Sequence, residues 1–356
     1  MKRKPTGRLE LNWMGKDSAL IPSEDGKYDY AWVDPEDVRV REVKPLEVLE
    51  TVGDMNAEGA GDNLVVIGDS GDALRSLASI PEWKAKYEGQ VKLVYIDPPF
   101  NTEQTFEHYA DQLEHSVWLT MMRDRIRDMK PLLAKDASVW VHLDDAEVHR
   151  MRVLMDEEFG AENFVATICW QRRASRSNDA GFSVAHDLIL VYATNAGRFS
   201  KTRNRLLRDA NAAGYGNPDN DPRGLWQSVS FNAPGARGES LSYGIEGPTG
   251  RVHYPPEGRH WSCKKEDFDS LVQDSRIWFG ANGDGVPRQK VFLTDDSGLV
   301  PNTWWTAKEV GTNDTGKKEI QALFPGQAPF STPKPERLLE RIIQIGSNSG
   351  DLGRVS

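Results

Sequence analysis

Apolar residues along positions 63–200 recur with two alternating periods. Short runs rich in β-branched and aromatic residues read as buried strands. These are Leu64-Val65-Val66-Ile67, Val91-Lys92-Leu93-Val94-Tyr95-Ile96, Val139-Trp140-Val141-His142-Leu143, Phe164–Trp170 and Leu188–Ala193. Between them the spacing turns helical. From Glu114 to Leu133 the residues Trp118, Met122, Ile126, Met129 and Leu133 fall on one face, and Val148, Met151, Met155 and Phe159 mark a second helix. A shorter helix spans Asp72 to Leu77. Strands alternating with helices predict a doubly wound α/β sheet.

The pattern differs on either side of this stretch. Residues 1–62 are polar and acidic and read as an N-terminal arm with little core of its own. After residue 200, Gly and Pro become frequent, and Trp226, Trp261, Trp278, Trp304 and Trp305 sit among short strand-like pieces. Residues 201–325 therefore read as an inserted, irregular, β-leaning module, separating residues 63–200 from a final segment, 326–356. In that segment Pro335 suits a first helical position, Glu336 favours the N-terminal dipole, and Leu338, Leu339, Ile342 and Ile343 form an apolar face.

Composition adds limits. Hydrophobic residues make up 38% and charged residues 28%, and no apolar run approaches a membrane span, so a membrane partner is not expected. The basic start lacks a following apolar stretch, which argues against a secretory signal. Cys169 and Cys263 have neither disulfide-framework nor metal-type spacing. A reducing cytoplasm is the expected location. The net charge of −10 is unevenly placed: residues 24–62 hold twelve acids against four bases, residues 172–208 eight bases against two acids. The basic stretch permits contact with phosphates and fits a plain solvated face equally well.

The candidate chemistry lies at Asp97-Pro98-Pro99-Phe100, directly after the strand at 91–96. Pro has no N–H and a fixed φ, so the chain leaves the sheet as a stiff turn. The turn presents a carboxylate, an outward carbonyl and an aromatic ring at the C-terminal edge of a sheet, where open α/β folds bind ligands. Taken alone, it reads equally as a strand-ending turn. The exocyclic amine of adenine is a poor nucleophile because its lone pair is delocalised into the ring. Methylating it calls for acceptors on both N–H bonds, which Asp97 and the Pro98 carbonyl can supply, while Phe100 offers a face for an unstacked base. Neither cysteine follows a proline, as the nucleophile of a cytosine C5 methylase would.

Gly68-Asp69, the strand at 91–96 and Asp97-Pro98-Pro99-Phe100-Asn101-Thr102 together resemble the amino-methyltransferases of restriction–modification systems, above all adenine-specific enzymes related to type III modification subunits. Further stretches match in order: Trp118-Leu119, His142-Leu143-Asp144-Asp145-Ala146-Glu147, Phe159-Gly160-Ala161-Glu162-Asn163-Phe164, His186-Asp187-Leu188-Ile189-Leu190-Val191-Tyr192, Gly258-Arg259-His260-Trp261, and Phe330-Ser331-Thr332-Pro333-Lys334-Pro335-Glu336. The resemblance implies a Rossmann-like S-adenosylmethionine-dependent methyltransferase sheet with residues 201–320 as its target-recognition region. It also implies double-stranded DNA as substrate, with a restriction subunit or a second copy of the chain as further partners. Asp rather than Ser at position 97 implies adenine N6 over cytosine N4, which stands as the alternative. Asp97, Pro98, Pro99 and Phe100 become the catalytic set, and Phe330 and Lys334 lie near the methionine end of the cofactor. Asp69 would bond the cofactor adenine or, equally, cap the helix that follows it. His186 and Tyr192 either help wall the base pocket or sit in the core.

One departure stands out. The family continues past Ile345-Gly346-Ser347-Asn348-Ser349-Gly350-Asp351-Leu352 into a strand and a glycine-rich loop of the type D-x-F-x-G-S-G-T, whereas this sequence runs into Gly353-Arg354-Val355-Ser356. The expectation is an incomplete sheet whose 91–96 strand is an open edge, with half a cofactor site. The corresponding alternative function is a DNA-binding remnant that needs a complementing chain.

Overall fold

The structure, a computed structural model, describes residues 9–22, 30–53, 63–101, 114–176, 181–206, 214–235, 238–295, 298–327 and 332–355. The chain forms two compact units, Met1–Asn204 with Asn302–Ser356, and Arg205–Pro301.

The first unit opens with strands β1 (Ala19–Pro22) and β2 (Tyr30–Val33), paired antiparallel. Then follow helices α1 (Ser70–Ser79) and α2 (Pro81–Tyr87), strand β3 (Val91–Ile96), helix α3 (His115–Met129), strand β4 (Leu133–Leu143), helix α4 (Val148–Phe159), strands β5 (Phe164–Gln171) and β6 (His186–Ala193), and helix α5 (Ala196–Thr202). The described residues before α1 pack onto α3 and α4. The Trp13 indole donates to Thr120 Oγ1 of α3 at 2.8 Å, Lys16 pairs with Glu157 of α4, and buried Arg123 donates to the Ser18 carbonyl at 2.7 Å.

The second unit, Arg205–Pro301, consists of short antiparallel pieces. Strands β7 (Trp226–Ser230), β12 (Ile277–Trp278) and β13 (Arg288–Phe292) form one sheet. Two pairs, β8 (Asn232–Pro234) with β11 (Arg259–Trp261) and β9 (Ile245–Glu246) with β10 (Val252–His253), accompany helix α6 (Lys265–Gln273). Phe231, Ile245, Trp261 and Phe268 form a small core. Buried Lys290 is held between Asp219 and Asp221, its ammonium 5.1 Å from the Trp226 ring.

The chain returns to the first unit with β14 (Trp304–Trp305), α7 (Ala307–Val310), α8 (Asn313–Leu323), α9 (Glu336–Gly346) and β15 (Leu352–Val355). The result is a six-stranded mixed sheet in the order β14-β5-β6-β4-β3-β15, with β15, β3 and β4 mutually parallel. Because strand side chains alternate faces, Val94, Val139, Val141 and Leu143 share the core with α1, α3 and α4. Leu93, Tyr95, Trp140 and His142 point to the other face, where α9 packs. Among the described residues no helix is long and apolar enough to cross a membrane.

Several expectations are corrected. Leu64–Ile67 is not a strand, and Val65 and Ile67 are 87% and 85% exposed. Four apolar residues make a strand only when they meet a partner edge, and no described strand pairs with Leu64–Ile67; both edges of β3 are taken, one by β4 and the other by β15. The open edge expected at β3 is therefore covered: Leu352 pairs with Val91 and Val355 with Tyr95. The helix expected to run to Leu133 ends at Met129, because Pro131 has no N–H for the helical ladder, and Leu133 already begins β4. Pro335 is the N-cap of α9, one residue before the helix it was expected to begin.

At the C-terminal end of α9, a Cβ on Gly346 would lie 2.6 Å from Leu93 Cδ1 and 3.1 Å from Ser138 Oγ, so only glycine allows the helix to close on β3 and β4. Leu93 and Ser138 are buried and have little room to yield. Gly346→Val should lower the unfolding free energy measured in urea by about 1–3 kcal/mol through overpacking; wild-type stability would contradict this close approach.

Candidate active site

The turn Asp97-Pro98-Pro99-Phe100 leaves β3 at its C-terminal end and is half-buried. Its middle is gripped from below. The indole N–H of Trp118, fully buried on α3, donates to the Pro99 carbonyl at 2.8 Å. At its exit Asn101 takes a φ of 61°, and its amide donates to Glu147 Oε1 at 2.8 Å.

Asp97 is paired with a residue far along the sequence. Lys334 Nζ donates to both carboxylate oxygens, at 2.9 and 2.7 Å. The same ammonium lies over the Phe100 ring, 5.1 Å from its centroid. The side chains are 11% exposed for Lys334 and 25% for Asp97, so water screens the pair only partly. Lys334 is delivered by the extended Pro333-Lys334-Pro335 segment, which lies directly on α8. A Cβ on Gly316 would come within 2.6 Å of the Pro333 carbonyl oxygen and 3.0 Å of the Lys334 carbonyl carbon.

Behind Phe100 is a buried polar network. The Phe100 and His142 rings are 5.7 Å apart. His142 has no exposed surface; its Nδ1 is 2.7 Å from the Tyr95 hydroxyl and its Nε2 is 3.3 Å from Asp187 Oδ2. The other Asp187 oxygen is 3.2 Å from Arg172 Nε, and the Trp170 ring meets His142 edge-on. Burial pushes the Tyr95 phenol well above its usual range, and the nearby charges of Asp97 and Asp187 push it further. Tyr95 is thus a neutral hydroxyl that locks the orientation of the His142 ring.

Of the residues singled out from the sequence, Asp97, Phe100 and Lys334 come together at one point. The resemblance put Lys334 with the cofactor and Asp97 with the base, whereas here they touch. Asp69 is engaged elsewhere. Its Oδ1 caps α1 by accepting from the Gly71 and Asp72 amides at 2.9 and 3.1 Å, and its Oδ2 binds Arg125 at 2.7 Å. Phe330 lies outside the described residues. Tyr192 is buried against α4, donating to Asp156 at 2.5 Å and to the Arg152 carbonyl, which is a core role; His186 begins β6. Lys334 has the right charge for the methionine carboxylate of S-adenosylmethionine, but here it is bonded to Asp97, and Asp69 is bonded to the α1 amides and Arg125, so each would have to exchange a partner to meet the cofactor.

Sequence reasoning missed the Tyr95–His142–Asp187–Arg172 network and the part played by Glu147. A signal for the first existed. His142 interrupts an otherwise apolar run, Val139-Trp140-Val141-His142-Leu143, and an imidazole in a fully buried strand requires partners.

Two outcomes follow from this geometry. Gly316→Ala should force the Pro333 carbonyl away and draw Lys334 off Asp97, at about 1–3 kcal/mol of stability; a crystal structure of the variant with the pair intact would refute the link. Burial opposes the charge on Asp69, but the Arg125 guanidinium and two amide bonds prevail and lower its pKa below 3.8. Stability from a lowered carboxylate is present above the unfolded value and lost as pH falls through the folded one. The stability gap between wild type and Asp69→Asn should therefore shrink as pH drops below 3.8, read from urea unfolding across pH; a constant gap would show that the charge contributes nothing.

Comparison with known proteins places this geometry in context. A family model described as DNA methylase, of the N6/N4 type, matches residues 91–352. The Mod subunit of the type III restriction-modification enzyme StyLTI from Salmonella typhimurium is 30% identical over 314 residues, covering 80% of this chain and 46% of that protein. The type II methyltransferase M.EcaI from Enterobacter cloacae is 30% identical over 270 residues, covering 74% of this chain and 56% of that protein. The Mod subunit of the type III enzyme EcoP15I from Escherichia coli is 23% identical over 402 residues, covering 94% and 58%. The chain spans about half the length of the curated relatives it matches. The model match covers well over half of the chain, includes the Asp97 turn and the Lys334 segment, and shows that this chain belongs to the N6/N4 DNA methylase family.

Proposed function

We propose that this chain carries the catalytic turn of a DNA adenine N6-methyltransferase, the modification component of a restriction system. The observation that carries the reading is the Lys334 ammonium, which touches both oxygens of Asp97 while lying over Phe100. An N–H donor attached to a planar base needs the same two surfaces: acceptors for its hydrogens and a ring face for its π system. Lys334 marks where such an amine fits.

On this reading the adenine is turned out of the duplex and stacks on Phe100. Asp97 and the Pro98 carbonyl each accept one N–H of the exocyclic amine, which favours a tetrahedral nitrogen with its lone pair localised instead of shared with the ring. S-adenosylmethionine, when bound, supplies a methyl group carried on sulfonium sulfur. As the N–C bond forms, the methyl–sulfur bond would break with its electron pair left on sulfur, and the proton on the N–H that Asp97 holds would leave nitrogen by way of that carboxylate to solvent. Lys334 gives up its place on Asp97 to the amine and is then free to pair with a carboxylate at the methionine end. The turn contributes by position and fixed charge, without a covalent intermediate.

Asp at position 97 supports adenine N6 over cytosine N4, and the Mod-subunit relatives support double-stranded DNA as substrate and a restriction subunit as partner. Of residues 201–320, expected to be the target-recognition region, 205–301 form a compact unit of their own and would take that part, while 302–320 belong with the first unit. Asp97→Ala should lower methyl transfer to DNA by about 10²–10³-fold or more while leaving DNA affinity within about twofold. The check is labelled-methyl incorporation followed by nucleoside analysis. Retained activity would remove Asp97 from the chemistry, and N4-methylcytosine as the product would overturn the choice of base.

A further inference from the structure

Glu147 has no part in the chemistry above, yet it is a carboxylate with no exposed surface beside the exit of the turn. Its Oε1 accepts from the Asn101 amide at 2.8 Å and also faces His115 Nδ1; its Oε2 accepts from Arg150 at 3.1 Å. Asn101 immediately follows Phe100 and holds a left-handed φ of 61°. That conformation is unfavourable for a side-chain-bearing residue, and Asn is among the few that tolerate it. The cost is offset where the surroundings hold the residue, as the bond to Glu147 does here. His115 begins α3, the same helix whose Trp118 grips the Pro99 carbonyl. Glu147 therefore ties the exit of the turn to the helix that holds its middle.

We propose that Glu147 is a positioning residue for methyl transfer: acting through Asn101, it fixes the backbone leaving Phe100 and thereby the aim of the Phe100 ring and the Asp97 carboxylate. This inference rests on reading the turn as the base-holding site. The competing account is that Glu147 only balances the charge of Arg150 and packs the fold. Two substitutions separate the accounts. Asn101→Gly keeps the left-handed conformation and deletes the bond to Glu147. Glu147→Gln keeps an acceptor for Asn101 and deletes the charge.

The test uses the whole chain, with three measurements: kcat and KM on DNA, the urea midpoint, and amide hydrogen exchange in peptides spanning Tyr95–Asn101. Asn101→Gly should lower kcat by about 10–100-fold, the scale expected for a small misplacement of reacting groups, with KM and the urea midpoint near wild type. Exchange in the turn should quicken by about tenfold. Glu147→Ala should reproduce these effects, and Glu147→Gln should restore most of kcat and the slow exchange. Wild-type exchange and kcat in Asn101→Gly would overturn the proposal, as would a Glu147→Gln variant as impaired as Glu147→Ala. If the wild-type chain transfers no methyl group to DNA, the functional reading falls, and hydrogen exchange alone still decides whether Glu147 holds the turn.

Discussion

The ion pair between Lys334 and Asp97 joins residues 237 positions apart, and much of the first unit is arranged around it. A carboxylate at the end of a buried strand needs donors, because the protein around it replaces water poorly. Lys334 supplies them only if Pro333-Lys334-Pro335 runs where it does. That placement requires α8 to carry glycine at 316, and α9 to start immediately afterwards at Glu336. In turn, α9 closes on β3 through Gly346, and β15 completes the other side of the same strand. The pair is thus the point at which the last part of the chain registers against β3. An exposed pair would contribute at most about 1 kcal/mol and set little. This one is partly shielded and its carboxylate is bonded through both oxygens, so it also specifies geometry.

The turn itself is held from two directions. Trp118 and Glu147 fix its backbone from the α3 side, through the Pro99 carbonyl and Asn101. Tyr95, His142 and Asp187 lie behind the Phe100 ring on the sheet side. Two prolines stiffen what lies between. A catalytic group that acts by position gains from this kind of support, since its geometry is set before any substrate arrives and needs no reorganisation during the reaction.

The sequence showed much of this, and its failures have physical causes. β3, β4 and β6 were legible because a strand buried on both faces must be apolar at nearly every position, β5 because it is rich in β-branched and aromatic residues although only Ile168 and Trp170 are buried, and α3 and α4 because their apolar residues keep a helical step. The Asp97 turn was legible because two prolines after such a strand leave few other conformations. Leu64–Ile67 misled because local composition says nothing about whether a neighbouring edge is free. The short strand at Leu352–Val355 was missed for the converse reason: its residues are weakly strand-forming, and an available edge at β3 recruits them. The Lys334–Asp97 pair was out of reach for any argument from spacing. Asp69 was legible as a helix cap because an acid before Ser70-Gly71-Asp72 is the ordinary chemistry of a helix start.

Lys334 also bears on selectivity, under the proposed function. Displacing an ammonium from a partly buried carboxylate is unfavourable unless the newcomer restores the lost hydrogen bonds. Water can restore those bonds but cannot cover the Phe100 ring, and an apolar ring can cover Phe100 but leaves Asp97 unsatisfied. A base with an exocyclic amine does both in one step, replacing the N–H donors of Lys334 and its place over the ring. The free site then holds its own competitor, and only a ligand matching both features exchanges with it at small cost. Discrimination of this kind arises from the penalty for leaving a buried polar group unpaired, which is larger than the penalty for an imperfect apolar contact. It also links the two halves of the reaction, because the cation released from Asp97 becomes available to an anionic group only when the amine has arrived.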